Sequence, residues 1–272
     1  MNYLLPTPYV DTHGKTLEFA HTDTLELFNI NKKRFGPNWY WYNNPVTYKF
    51  NSLGYRMDKE LAEVDYDNYF AFFGCSFTVG TGVPVEDTFV QLIAKRAGVD
   101  YINAGVGGGT PEVVVWNLTK LFTHAPKKPK VIMINWPEIT RTAFWLDGKL
   151  QFMLPNRLTL DKNHWTKSYE AFIMEESHID NRFDMLRKMV QALCNTAGVN
   201  LFEFVTHQSD NNFFRKHQGI YTARIEHTDN TALDKLHLNK GRDISETAAL
   251  SAHPGFMHQQ LACEKFFEMV RL

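Results

Sequence analysis

Between residues 67 and 135 the chain repeats one rhythm, an apolar run, a turn of small residues, then an amphipathic stretch. "NYFAFFG" (68–74) and "KVIMINW" (130–136) are continuous apolar runs, the pattern of strands covered on both faces of a parallel sheet. "DYINAG" (100–105) reads as a shorter strand between them. In "VEDTFVQLIAKRAG" (85–98), Phe89, Leu92, Ile93 and Arg96 share one helical face, with acids in the first turn and Gly98 as the stop. "TPEVVVWNLTKLF" (110–122) reads as a helix with Pro111 in its first turn. Strand–helix–strand–helix–strand at this spacing predicts an α/β fold of three layers, α/β/α, with a flavodoxin-like parallel sheet.

The rhythm places the other segments. Residues 1–66 form an N-terminal extension packed on a main domain of 67–272, and residues 1–60 read as loops and short strands, with no helix. A middle insertion at about 143–199 breaks the pattern, with a hairpin at "WLDGKLQF" turning on Asp147-Gly148. Ile179, Phe183, Leu186, Val190 and Leu193 then recur at helical spacing up to Gly198, "NLFEFVT" (200–206) is a further strand, and Pro254 opens a last helix.

A formal net charge of −1 gives no electrostatic reason for a nucleic-acid or anionic-membrane partner. Cys75, Cys194 and Cys263 are too few and too scattered for a disulfide framework or a zinc cluster, and the histidines lack ligand spacing, so no metal is expected. The N-terminus lacks the features of a secretion signal and no apolar run reaches ~18 residues, which predicts a cytoplasmic protein or one carried in a virion.

Three strands end in small or polar residues, at "GCSFT" (74–78), "NAGVGGGT" (103–110) and "NWPE" (135–138), and "SAHPG" (251–255) precedes the last helix. Ligands of open α/β sheets bind at the carboxyl ends of the strands. Ser76 either caps a turn or is presented to react. If it reacts it needs a base, and His253 is the candidate. Attack on an ester carbonyl puts charge on oxygen. The backbone N–H groups of Ser76 and Gly108 and the side-chain amide of Asn135 are candidate donors to it, though Asn135 serves equally well as a bond to a neighbouring loop. "GVGGGT" has Thr110 in place of the third glycine of a dinucleotide fingerprint, which argues against that site.

These blocks, in this order, resemble the SGNH (GDSL) hydrolases. Gly74, Ser76, Thr78 and Gly80 match the first block, with Cys75 in place of its Asp; Gly108 falls on the oxyanion glycine, Asn135 on the Asn of the third block, and His253 on the last histidine. "YKFNSLGYR" (48–56) resembles a segment that precedes the first block in longer members. The resemblance implies a serine-dependent ester hydrolase without a cofactor, acting on a small-molecule or carbohydrate ester, and leaves the acyl group open among lipids, acetylated sugars and small esters; the aromatic extension favours removal of acetyl groups from carbohydrate. An O-acyltransferase is open on the same scaffold, and so is a binding module of a larger assembly, such as a phage particle, whose chemistry has decayed. The family's orienting Asp stands three residues before the histidine, where this chain has Leu250; Asp243, Glu246 or no carboxylate are the alternatives.

Three further expectations concern packing. Alternation turns the Cys75 side chain away from the face that Ser76 uses. His258 is expected at the surface. For Trp39, Tyr40, Trp41 and Tyr42 a sugar platform is the alternative, and core packing is the reading for at least half of them.

Overall fold

The computed structural model describes residues 3–154, 175–205, 223–224, 241–243, 253 and 255–270. A short antiparallel pair, β1 (Thr16–Leu17) and β2 (Tyr48–Lys49), brackets helix α1 (Leu25–Phe35). Then come β3 (Tyr69–Gly74), the one-turn helix α2 (Ser76–Val79), α3 (Phe89–Ala97), β4 (Asp100–Gly105), α4 (Pro111–His124) and β5 (Val131–Asn135). The hairpin β6 (Thr142–Leu146) and β7 (Lys149–Met153) follows, then α5 (Glu176–Ala197), β8 (Asn200–Val205), β9 (Ala223–Arg224) and α6 (Phe256–Met269).

Five of the strands form one parallel sheet in the order β4-β3-β5-β8-β9. The chain enters at β3, adds β4 on one side and then crosses to β5 on the other, which is the flavodoxin-like doubly wound order. Successive side chains of a strand point to opposite faces, and the apolar run of β3 divides accordingly. Tyr69, Ala71 and Phe73 pack with Ile132 and Ile134 under α4 and α5, through Leu118, Leu121, Phe183 and Val190. Phe70 and Phe72 pack with Met133, Phe202 and Phe204 under α3 and α6, through Phe89, Ile93 and Phe266. The result is the three-layer α/β/α arrangement expected from the rhythm of runs and turns.

Within 143–199 the hairpin β6–β7 is a separate two-stranded unit, turning at Asp147 and Gly148, both at positive φ. Helix α5 covers the sheet beside α4 and carries the chain from β5 towards β8, so it belongs to the α/β/α layers. Ahead of the sheet, Tyr3, Leu4, Tyr55, Met57, Leu61 and Val64 share the larger core, while Trp39, Trp41, Val46, Tyr48 and Phe50 build a smaller aromatic one.

Two expectations for individual segments are corrected, and a third is met. Residues 25–35 are helical: Thr24 caps α1 by accepting from the Leu27 N–H at 3.1 Å, and Gly36 ends it at φ 70. Only Asn31 of that helix is buried, and Leu25 and Ile30 face solvent, so it lacks the apolar stripe by which a packed helix is read. His258 is buried, because the first turn of α6 lies against α3, where the Gln259 side chain accepts the Phe89 N–H at 2.9 Å. Residues 40–42 form a 3-10 turn in which Trp39 and Trp41 are buried, Tyr40 lies on Phe256 and Lys32 covers Tyr42. Half of the four rings at 39–42 are thus packed in the core, as expected. No helix among the described residues is long and apolar enough to cross a membrane.

Candidate active site

The sheet register sets three chain ends on one rung, with Gly74 of β3 between Gly105 of β4 and Asn135 of β5. Beyond Gly74, Cys75 is extended and fully buried, and Ser76 begins α2, which stops at Gly80 in the left-handed region. Burial of Cys75 agrees with its expected direction. A Cβ on Gly105 would stand 2.7 Å from the Val79 nitrogen, so only glycine lets β4 approach the turn that carries Ser76. Asn103 adds a bond from its side-chain amide to the Thr78 carbonyl at 3.0 Å.

Arg56 secures the other side of this turn. Its fully buried guanidinium donates to the carbonyls of Thr47 (3.1 Å), Val79 (3.2 Å), Gly80 and Val83 (2.8 Å), and lies 4.4 Å over the Tyr48 ring. Five donors in a planar fork suit a loop that offers several carbonyls. The segment "YKFNSLGYR" thus meets the first block through Arg56.

Ser76 is half-buried, with its Oγ 2.6 Å from Nε2 of His253. Nδ1 of the same ring is hydrogen-bonded to Oδ2 of Asp243, and both residues are buried. A carboxylate can only accept, so Nδ1 carries the proton and Nε2 is left bare to accept from the Ser76 hydroxyl. Phe77 meets the imidazole edge-on, with centroids 5.3 Å apart. The structure therefore brings Ser76, His253 and Asp243 together across 177 and 10 residues of sequence respectively. Glu246 and Leu250 lie outside the described residues, as does Pro254.

Val106 to Gly109 close a turn beyond β4, with the Gly109 N–H bonded to the Val106 carbonyl at 2.8 Å and Gly108 at φ 64. The Tyr9 hydroxyl donates to the Gly107 carbonyl at 2.7 Å. Leu154, just past β7, and the Tyr9 hydroxyl lie 3.4 and 3.5 Å from where a Gly108 Cβ would stand, so they roof this glycine. Asn135 is buried at the end of β5, and Trp136 beyond it donates from its indole to Glu203 at 2.9 Å.

Two residues at the site carry no sequence signal. Thr22 donates from its hydroxyl to the same Oδ2 of Asp243, at 2.8 Å. His21 has φ 60, a conformation uncommon outside glycine; its ring packs edge-on to Tyr9 (4.9 Å) and Phe50 (5.6 Å) and touches Gly107. Both belong to the extension, 221 residues of sequence from Asp243 in the case of Thr22, and only the tertiary fold makes them neighbours.

Burial, reinforced by the nearby His253 and Arg56, lowers the pKa of His21 from 6.5 to about 4. Folded His21 is therefore neutral where unfolded His21 binds a proton. Its contribution to stability is whole above pH 6.5 and is lost as the pH falls towards 4. Asparagine tolerates the left-handed region and does not titrate. In urea unfolding, His21→Asn is expected to close the gap to wild type by up to about 3 kcal/mol between pH 7 and pH 4. Curves that stay parallel over that range would contradict the reading.

Among the described residues no three His, Cys, Asp or Glu side chains converge as metal ligands would. No family model matches the chain. No curated protein matches it either. Solved structures that resemble it include a carbohydrate esterase whose active site displays divergent catalytic and non-catalytic binding functions, at 15% identity and TM-score 0.43, covering 77% of this chain and 66% of that one. Another is a carbohydrate esterase family 2 enzyme with a carbohydrate-binding domain from Corynascus thermopiles (Myceliophthora fergusii), at 12% identity and TM-score 0.40, covering 74% and 64%. A third is a protein of the G-D-S-L family from Desulfitobacterium hafniense, at 12% identity and TM-score 0.39, covering 75% and 99%. The chain thus spans about two thirds of the length of the first two. At these identities and TM-scores no residue role passes from them to this chain.

Proposed function

We propose that the chain is a serine-dependent carboxylic ester hydrolase of the SGNH (GDSL) kind, removing a short acyl group, acetyl above all, from a carbohydrate or small-molecule ester. The observation that carries this reading is the unbroken line from Ser76 Oγ to His253 Nε2 and from His253 Nδ1 to Asp243, set at the carboxyl ends of the sheet strands. Hydroxyl, imidazole and carboxylate in that order form the arrangement by which a serine is made nucleophilic.

In this mechanism Ser76 Oγ bonds to the ester carbonyl carbon while its proton passes to His253 Nε2. The carbonyl oxygen becomes an oxyanion, with the backbone N–H groups of Ser76 and Gly108 and the Asn135 amide as its donors. The tetrahedral species collapses, the C–O bond to the alcohol breaks, and His253 returns the proton to the leaving oxygen. Water then attacks the acyl-serine, giving one proton to His253; the second tetrahedral species collapses, the C–O bond to Ser76 breaks, and His253 returns the proton to Ser76 Oγ as the carboxylic acid leaves. Asp243 holds the ring and offsets its positive charge in both halves. No cofactor enters any of these steps.

Leu154 and the Tyr9 hydroxyl stand at van der Waals distance over the proposed oxyanion glycine, so an acyl group bound there would meet an apolar side chain and a hydroxyl. The aromatic extension lends less support to a carbohydrate than its composition suggests, because Trp39 and Trp41 are buried. The decayed binding module is favoured by the missing Asp three residues before His253 and by Trp136 in the third block; Asp243 at the His253 ring weighs against the first of these grounds. Purified protein is expected to hydrolyse p-nitrophenyl acetate faster than the butyrate ester, and to release acetate from acetylated xylo-oligosaccharides. A preference for butyrate would refute the acetyl reading. No turnover of any ester would return the binding module to first place, and acyl transfer to an added alcohol in preference to water would make the protein an acyltransferase.

A further inference from the structure

Asp243 and His253 are ten residues apart, too far for one local turn to lock the carboxylate onto the ring. The lock comes from the N-terminal extension. Residues 20–23 make a tight turn, closed by the Asp23 N–H on the Ala20 carbonyl at 3.1 Å, with His21 at φ 60 at its corner. Both ends of the turn are buried. Asp23 is held by the guanidinium of Arg242, the neighbour of Asp243, with Nε 3.0 Å from Oδ2, and by the Tyr48 hydroxyl at 2.6 Å. Segment 241–243 is fixed in turn by backbone bonds, from Gly241 to the His253 carbonyl and from Arg242 to the Gly82 carbonyl, both at 2.7 Å.

That frame sets Thr22 where its hydroxyl reaches Asp243 Oδ2, the oxygen that also accepts from His253. Thr22 Oγ1 lies 3.4 Å from His253 Nδ1, so the two donors flank one acceptor. The other oxygen, Oδ1, stands 2.9 Å from where a Cβ on Gly82 would be, at a glycine with φ 85. The carboxylate is therefore confined on one side by backbone and aimed on the other by one hydroxyl. A donor to a carboxylate counts for more than one to a neutral group.

We propose that Thr22 is a positioning residue of the catalytic centre: its hydroxyl holds the Asp243 carboxylate in the orientation that serves His253. The inference rests on the hydrolase reading above, and it makes the Ala20–Asp23 turn of the extension a working part of the site. Thr22 does not touch the reacting atoms. Its side of the turn is exposed, so a valine of the same shape leaves the core intact.

The test compares wild type, Thr22→Val and Thr22→Ser by p-nitrophenyl acetate kinetics and by the low-field proton resonance of the His253 Nδ1–H. Thr22→Val is expected to lower kcat roughly tenfold with KM within twofold, and to move or broaden that resonance. Thr22→Ser, which keeps the hydroxyl, is expected to restore both. A valine variant with wild-type kcat and an unmoved resonance would overturn the proposal, as would a serine variant no better than valine. If wild type itself shows no Ser76-dependent turnover, the hydrolase reading fails. The resonance then decides the role of Thr22 alone.

Discussion

Ser76→Ala is expected to lower p-nitrophenyl acetate turnover by ~10⁴-fold or more, with the fold retained. Alanine keeps the backbone N–H at position 76, so the oxyanion side of the site survives while the attacking oxygen is gone. The substitution removes a hydroxyl that is half-buried and bonded to His253, not one that fills the core. Thermal unfolding should therefore change little. The residual rate then measures what the donors and binding do without a nucleophile. A variant that kept more than a tenth of the activity would place the nucleophile elsewhere. The adjacent thiol of Cys75 is poorly suited to take over, because it is fully buried.

Asp243→Asn is expected to cost about as much, ~10⁴-fold in kcat, because the neutral amide no longer offsets the charge of the imidazolium. Oδ2 accepts from both the Thr22 hydroxyl and the His253 ring, so an asparagine either keeps its carbonyl there without the charge, or puts its NH₂ there and meets Nδ1 with a donor. In the second case Nδ1 must accept, and the ring proton moves to Nε2, where it can no longer take one from Ser76. The geometry of the three side chains would look unchanged while the base had been disabled. A loss of less than tenfold would mean that serine and histidine act as a dyad and that the carboxylate has no part in turnover. Thr22→Val removes one hydrogen bond and should fall between wild type and Asp243→Asn.

Strands β3, β4, β5 and β8 were legible as short apolar stretches, with alternate residues of β3 serving two cores, as Phe70 and Phe73 do on opposite faces, whereas β9 (Ala223–Arg224) lies in a polar stretch that gives no such signal. The points where those runs give way to glycine, serine or asparagine then marked the sheet edge that faces the site. Ser76, Gly108 and Asn135 are tied to that edge by their own strands, so local pattern sufficed to single them out. Asp243 was one of three alternatives for the partner of His253, because no local spacing decides which acid reaches a ring ten residues away. Thr22, His21 and Arg56 were not legible as site residues at all. Their places come from long-range packing of the extension, and a threonine or arginine in a polar segment looks the same whether or not it meets a carboxylate or a loop. Helix α1 escaped for the converse reason: its stability comes from caps at Thr24 and Gly36 and from basic residues in its last turn, with almost no buried stripe to announce it.

Reaction of the purified, folded protein with a fluorophosphonate, followed by mass measurement of the intact chain and its peptides, tests the central claim most directly. One adduct per chain is expected, on Ser76, absent from Ser76→Ala and formed much more slowly in Asp243→Asn. A chain that takes up no reagent, or that carries the adduct on another residue, would contradict it.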